Sequence, residues 1–241
     1  MLLRGFPAPV FGTNCYIAAP APGEECVVVD PGIEVLDRLE ATLVEHRLRP
    51  AAVLLTHGHL DHTYSVTPVC GAHGVAAYIH RDDVYRLKDP LADFDAGFVA
   101  MLEAQFGKAA TWAEPDDVVQ VVDRARFQVA GLDIGVRHAP GHTEGSVLFD
   151  LPGLPDEPVA QVWPPSPAVS TTVLSGDVLF AGSIGRYDLA GGDAAAMRRT
   201  LAEVVLALPD DVLVLPGHGP ATTMARERAT NPYLLDLGLV A

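Results

Sequence analysis

Short apolar runs of four to seven residues, rich in Val, Leu and Ile, recur along the chain and alternate with stretches of helical period. Runs at 14–18, 26–30, 51–55, 75–79, 118–122, 127–130, 132–138, 147–150, 172–175 and 212–215 predict strands. The run Ala51-Ala52-Val53-Leu54-Leu55 has no polar alternation, which fits a strand covered on both faces. Helices are expected at 34–46, 94–106 and 193–207. In the last of these, Met197, Leu201, Val204 and Val205 make an apolar stripe for core packing, and Asp193 stands as an N-cap behind Gly191-Gly192. Strands interleaved with helices predict an α/β fold.

One segment, at about 151–170, breaks the pattern with six prolines: Pro152, Pro155, Pro158, Pro164, Pro165 and Pro167. Such density prevents regular structure. It lies between two strands expected to pair as a hairpin. The chain is therefore expected to be one domain, 1–241, with a surface elaboration whose Trp163 would serve an oligomer contact. The oligomeric state itself is left open.

At 241 residues and 49 % apolar, the chain is long enough for a sizeable core. Its net charge of −15 repels phosphate backbones, so nucleic acid is not expected as a partner. Cys15, Cys26 and Cys70 have no metal-type spacing and read as reduced, buried thiols. The N-terminus shows neither a signal peptide nor a membrane span, and a cytoplasmic location without membrane partners is expected.

The chemistry lies in Thr56-His57-Gly58-His59-Leu60-Asp61-His62, directly after the apolar run 51–55. His57, His59, Asp61 and His62 are four metal-type ligands at a strand end, where open α/β folds place their sites. Three later segments repeat the arrangement: Pro140-Gly141-His142-Thr143, Ser175-Gly176-Asp177 and Pro216-Gly217-His218-Gly219. Each puts a His or Asp beside a glycine at the end of a β run, where the backbone turns tightly. A single such His is more often structural. Four segments agreeing in position are hard to explain by packing.

In this order, His-x-His-x-Asp-His, Gly-His-Thr, Gly-Asp and Gly-His resemble the signature of the metallo-β-lactamase superfamily. The resemblance implies a four-layer αβ/βα sandwich with two metals in a cleft at one edge. It implies His57, His59 and His142 on one metal, Asp61, His62 and His218 on the other, and Asp177 bridging them. Asp30, in Val28-Val29-Asp30-Pro31-Gly32, would orient a ligand and also suits a turn. Imidazole and carboxylate suit Zn²⁺, and Fe or Mn as well. Two divalent cations, offset by two carboxylates and a bridging hydroxide, leave about +1 at the centre. Water held there ionises near neutral pH and needs no Ser or Cys nucleophile. Asp61 would orient that hydroxide or shuttle its proton.

Gly182-Ser183-Ile184-Gly185-Arg186-Tyr187-Asp188 and Arg228-Ala229-Thr230-Asn231-Pro232-Tyr233 resemble the short glyoxalase II-like branch. That branch implies hydrolysis of a small-molecule thioester or related anionic substrate. Too few residues follow His218 for the helical domain by which full-length glyoxalase II holds glutathione, so another thiol carrier fits as well. Arg186 and Tyr187 are candidates for substrate binding, Arg by its planar fork for carboxylate. A persulfide dioxygenase is the alternative, with one Fe(II) on His57, His142 and Asp177. A lactonase, or a metal-binding protein without activity, comes after that. His46, His73, His80 and His138 read as surface or core residues.

Overall fold

A computed structural model of the chain describes residues 1–91, 113–157 and 169–238, together with helical positions 97, 99–101 and 104. The strands form two six-stranded sheets and a two-stranded ribbon. The first sheet runs, in spatial order, β1 (Leu2–Pro7), β2 (Asn14–Ala19), β3 (Glu25–Val29), β4 (Arg49–Leu54), β5 (Ala77–His80) and β6 (Val118–Val121). It opens antiparallel and continues parallel from β3 to β6. The second sheet runs β14 (Thr222–Thr223), β13 (Val212–Pro216), β10 (Thr171–Gly176), β9 (Val147–Leu151), β8 (Leu132–His138) and β7 (Arg126–Val129). β11 (Leu179–Phe180) and β12 (Ser183–Ile184) form the ribbon.

Three apolar layers account for this stacking. Between the sheets, Tyr16, Val27, Val29 and Leu54 meet Ile134, Val136, Phe149 and Leu215. On the outer face of the first sheet, Val28 and Val53 pack against Leu39 and Leu43 of helix Leu36–His46 and Val69 of helix Val66–His73. On the outer face of the second, Leu148, Val173 and Val214 meet Met197, Leu201, Val205 and Met224. Successive residues of β3 thus face different cores, the two-sided burial expected of a run without polar alternation. Each fully buried Leu, Ile or Phe contributes roughly 1.5–3 kcal/mol. This is the expected αβ/βα sandwich.

The expected strands all form, with ends shifted by one or two residues. β1 was not expected, because Gly5 and Pro7 mask the buried Leu2, Leu3 and Phe6. Helix Val66–His73 was hidden by Pro68, which sits in its first turn, where no intrahelical N–H is needed. The stretch expected as one helix at 193–207 is α-helical over Ala194–Thr200, with Asp193 Oδ1 accepting from Ala196 N–H at 2.8 Å. It then widens to a π-turn over Leu201–Val205, with Leu206 N–H donating to Leu201 O at 2.9 Å. Most of the expected helix 94–106 lies outside the described residues.

β9 and β10 pair as the expected hairpin, Thr172 opposite Leu151. The Pro-rich segment therefore leaves from the end remote from His142 and Asp177. Its first residues lie along β1, with Asp156 N–H donating to Met1 O and Arg4 3.1 Å from Asp156. Trp163 and the rest of 158–168 lie outside the described residues. Among the described residues, no helix is long and apolar enough to cross a membrane.

Candidate metal centre

Topology brings the four ligand-bearing segments to one edge. β10 and β13 are parallel, and β9 lies antiparallel between β8 and β10, so β8, β10 and β13 all end on the same side. His142, Asp177 and His218 follow those ends. β4 of the facing sheet delivers His57 and His59, and the short helix Leu60–Thr63 carries Asp61 and His62.

His57 Nε2, His59 Nδ1 and His142 Nε2 form a triangle with sides of 3.2, 2.9 and 3.2 Å. Beside it, His218 Nε2 and His62 Nε2 lie 3.2 and 3.5 Å from Asp61 Oδ2. Asp177 reaches both groups. Its Oδ2 is 3.6 Å from His142 Nε2 and 3.5 Å from His218 Nε2, and its Oδ1 is 3.4 Å from His62 Nε2. Only glycine fits at 217, because a Cβ there would run into the Asp177 carboxylate and the His62 ring.

These residues fit two divalent cations. His62 Nε2 and Asp177 Oδ1 are buried without any hydrogen-bond partner, a costly state for polar atoms that a cation would relieve. Tetrahedral ligands about 2.0–2.1 Å from a zinc ion lie about 3.3 Å apart, close to the sides of the imidazole triangle. The tautomers agree. His142 Nδ1–H donates to Arg186 O at 2.7 Å and His62 Nδ1–H to Asp30 Oδ2 at 2.9 Å, so both Nε2 lone pairs face the centre. Asp30 also accepts from Thr56 N–H and Thr56 Oγ1–H, at 2.8 and 2.6 Å. Thr56 Oγ1 lies 3.1 Å from His57 Nδ1.

Protonation differs between the two groups. Burial, and then the neighbouring imidazoles, hold His57 well below the ordinary histidine range. Burial and His142 bring His59 down to about 3. Burial also lowers His142. Burial opposes charge on His62 too, but Asp61, Asp177 and Asp30 overcome it and raise its pKa well above the ordinary value. His218 is raised against burial by Asp61 and Asp177. Asp61 and Asp177 are lowered, burial opposing and His62 prevailing. The carboxylates are thus ionised, as cation ligands must be.

The sequence profile of the metallo-beta-lactamase superfamily matches residues 8–155. The chain belongs to this superfamily. An uncharacterised protein of Mycobacterium leprae is 40 % identical, the match covering 97 % of this chain and 99 % of that one. "Probable metallo-hydrolase YqgX" of Bacillus subtilis is 30 % identical over 97 % of this chain and 98 % of its own. Hydroxyacylglutathione hydrolase GloC of Haemophilus influenzae is 27 % identical over 97 % and 98 %. Among solved structures, the BLEG-1 B3 metallo-beta-lactamase superposes with a TM-score of 0.75 at 30 % identity, covering 97 % of this chain and 99 % of that one. TTHA1623 in a di-iron-bound form gives 0.70 at 32 %, covering 95 % and 99 %. The chain is thus a superfamily member whose His and Asp clusters fit a binuclear site.

The centre floors a cleft of about 600 Å³, walled by Phe11, Leu60, Phe180, Ile184 and Leu189. Arg186 also lines it, but its guanidinium is held by both carboxylate oxygens of the neighbouring Asp188, at 2.8 and 2.9 Å. Tyr187 is exposed and not among the lining residues. Sequence reasoning missed Thr13, whose hydroxyl donates to Asp61 Oδ2 at 2.7 Å. It also missed Asp83 and Arg86, behind the two histidine loops. None belongs to a recognisable motif. His80 and His138 are stacked 4.0 Å apart with 12° between their planes, near Asp82. The in-plane lone pairs of parallel rings do not converge, so that group is a packing contact.

Proposed function

We propose that the protein is a thioester hydrolase with two divalent cations, zinc foremost, at the edge of the sandwich. The observation that carries this reading is the pair of ligand triads joined by Asp177 on the floor of an apolar cleft. His57, His59 and His142 would hold one cation, Asp61, His62 and His218 the other, with Asp177 between them. The likeness to hydroxyacylglutathione hydrolase GloC supports the thioester, and that to the di-iron TTHA1623 supports two metals. When bound, such a pair supplies ionised water at neutral pH and polarises a carbonyl.

The chain's own residues do the rest. Asp61 Oδ2, fixed by Thr13, is ionised and positioned to take or direct a proton beside His218. Phe180, Ile184 and Leu189 cover apolar parts of the substrate and keep bulk water out. Arg186 meets an anionic group of the substrate through the donors that Asp188 does not use or by leaving Asp188. Arg186→Ala is expected to raise KM for carboxylated thioesters; an unchanged KM removes that role.

The test combines metal analysis of protein purified without added metal with an anaerobic panel of thioesters, lactones and β-lactams. Two equivalents of metal and thioester cleavage are expected. One tightly bound iron with O₂ uptake on a persulfide would overturn the reading in favour of a mononuclear dioxygenase.

A further inference from the structure

We propose that Asp83 is a positioning residue, a buried carboxylate clasp that sets the spacing of His57 and His59 against His142. Asp83 is fully buried at the end of the 3₁₀ turn Arg81–Asp83, just after β5. One oxygen, Oδ2, accepts from Gly58 N–H at 2.8 Å and from the Thr143 hydroxyl at 2.7 Å. The other accepts from Gly145 N–H at 2.9 Å. Gly58 is the residue between His57 and His59, and Thr143 follows His142. One side chain therefore ties together the two loops that carry the imidazole triangle. Those loops come from different sheets, which beside them share the single backbone bond from Val147 N–H to Thr56 O at 2.9 Å, and no strand ladder joins them among the described residues.

Two details show that the carboxylate serves this purpose rather than local structure. Asp83 stands at the N-cap of helix Val84–Lys88, where an Asp normally accepts from its own helix, yet it makes no such bond. Its oxygens bond the loops instead, and from its own helix only the Arg86 side chain approaches, 3.6 Å from Oδ1. At Gly145 the backbone approaches so closely that a Cβ would come within 2.6 Å of the carboxylate carbon. A buried carboxylate is costly unless its acceptors are filled, and here three donors fill them. Asparagine cannot replace it, because its NH₂ would face one of the three donors.

This inference rests on the two-cation reading, and the experiment separates the two. Metal-free wild type, Asp83→Asn and Thr143→Val are titrated with Co²⁺ and followed by absorption spectra. Wild type is expected to take two equivalents. In Asp83→Asn one step, carrying the spectrum of the all-imidazole site, is expected to weaken by about 10–100-fold. The other step is expected to keep its affinity. Thr143→Val should weaken the same step by less, and Thr143→Ser, which keeps the hydroxyl, should restore it. Two steps of wild-type affinity and spectrum in Asp83→Asn, or equal weakening of both, overturn the clasp. If Asp83→Asn does not fold, the Thr143 pair decides by the same criterion. A wild type that binds a single equivalent defeats the two-cation reading instead, and the clasp is then judged on that one step.

Discussion

The two halves of the centre straddle the same gap between sheets but are held across it in different ways. On the Asp61–His62–His218 side the link is distributed among neutral groups from the start of the second strand. Thr13 bonds Asp61 and bridges to His218, Asn14 bonds Pro216 O, Gly217 O and Gly219 O, and the Tyr16 hydroxyl bonds Pro216 O. On the His57–His59–His142 side the side-chain link is charged: the Asp83 carboxylate bonds both loops, and Arg86, 3.6 Å from it, donates to Glu144 of the His142 loop at 3.1 Å. Distributed bonds degrade gradually when one is lost. A buried charged acceptor, once removed, takes its bond from three donors at once. The contrast teaches that equal-looking ligand triads need not be equally robust.

The strongest way to break the contrast is to remove the residue common to both halves. Asp177→Ala is expected to weaken both cation-binding steps and lower turnover by more than about 10³-fold, read by metal content and steady-state kinetics. Asp30→Asn comes next. It touches His62 directly and His57 through Thr56, so both steps should weaken by about 10–100-fold in chelator competition. Weakening of one step alone would show that Asp30 serves only His62.

Acidity sharpens the contrast without any mutation. His62 and His218 hold protons above their ordinary range, so loading that half releases protons at pH 7, and its cation affinity rises with pH. His57, His59 and His142 are lowered, so loading their half displaces fewer protons from its ligands at pH 7 and its affinity depends less on pH. Calorimetry in buffers of different ionisation enthalpy measures this directly; equal release from both steps would contradict it. In the metal-free protein the raised pKa of His62 contributes stability that is fully present below about 6.5 and is lost as pH rises through the folded value. The smallest effect is expected from Asn14→Ala, because Thr13 and Tyr16 remain. Cation affinity should be unchanged, with about 1 kcal/mol lost in denaturant unfolding.

The legible part of this molecule was what repeats. Apolar runs marked the strands, and glycine beside His or Asp at four strand ends marked the side chains that converge at one edge, because metal chemistry restricts both residue type and placement. Asp30 was legible only through the resemblance of Val28-Val29-Asp30-Pro31-Gly32 to a family motif. Asp83 was not, since Arg81-Asp82-Asp83 has the composition of any solvent-facing turn and its partners lie 25 and 60 residues away. Arg186 shows a different limit: its position beside the cleft was readable, but its engagement by Asp188 depends on a loop conformation that no spacing encodes.

Every ligand triad takes members from both sheets, so a cation seated there would be a rivet through the seam of the sandwich. Stripping it would loosen the join between the two halves before it unravelled either one. Amides along that seam, not those at the outer helices, should then be the first to exchange with deuterated solvent.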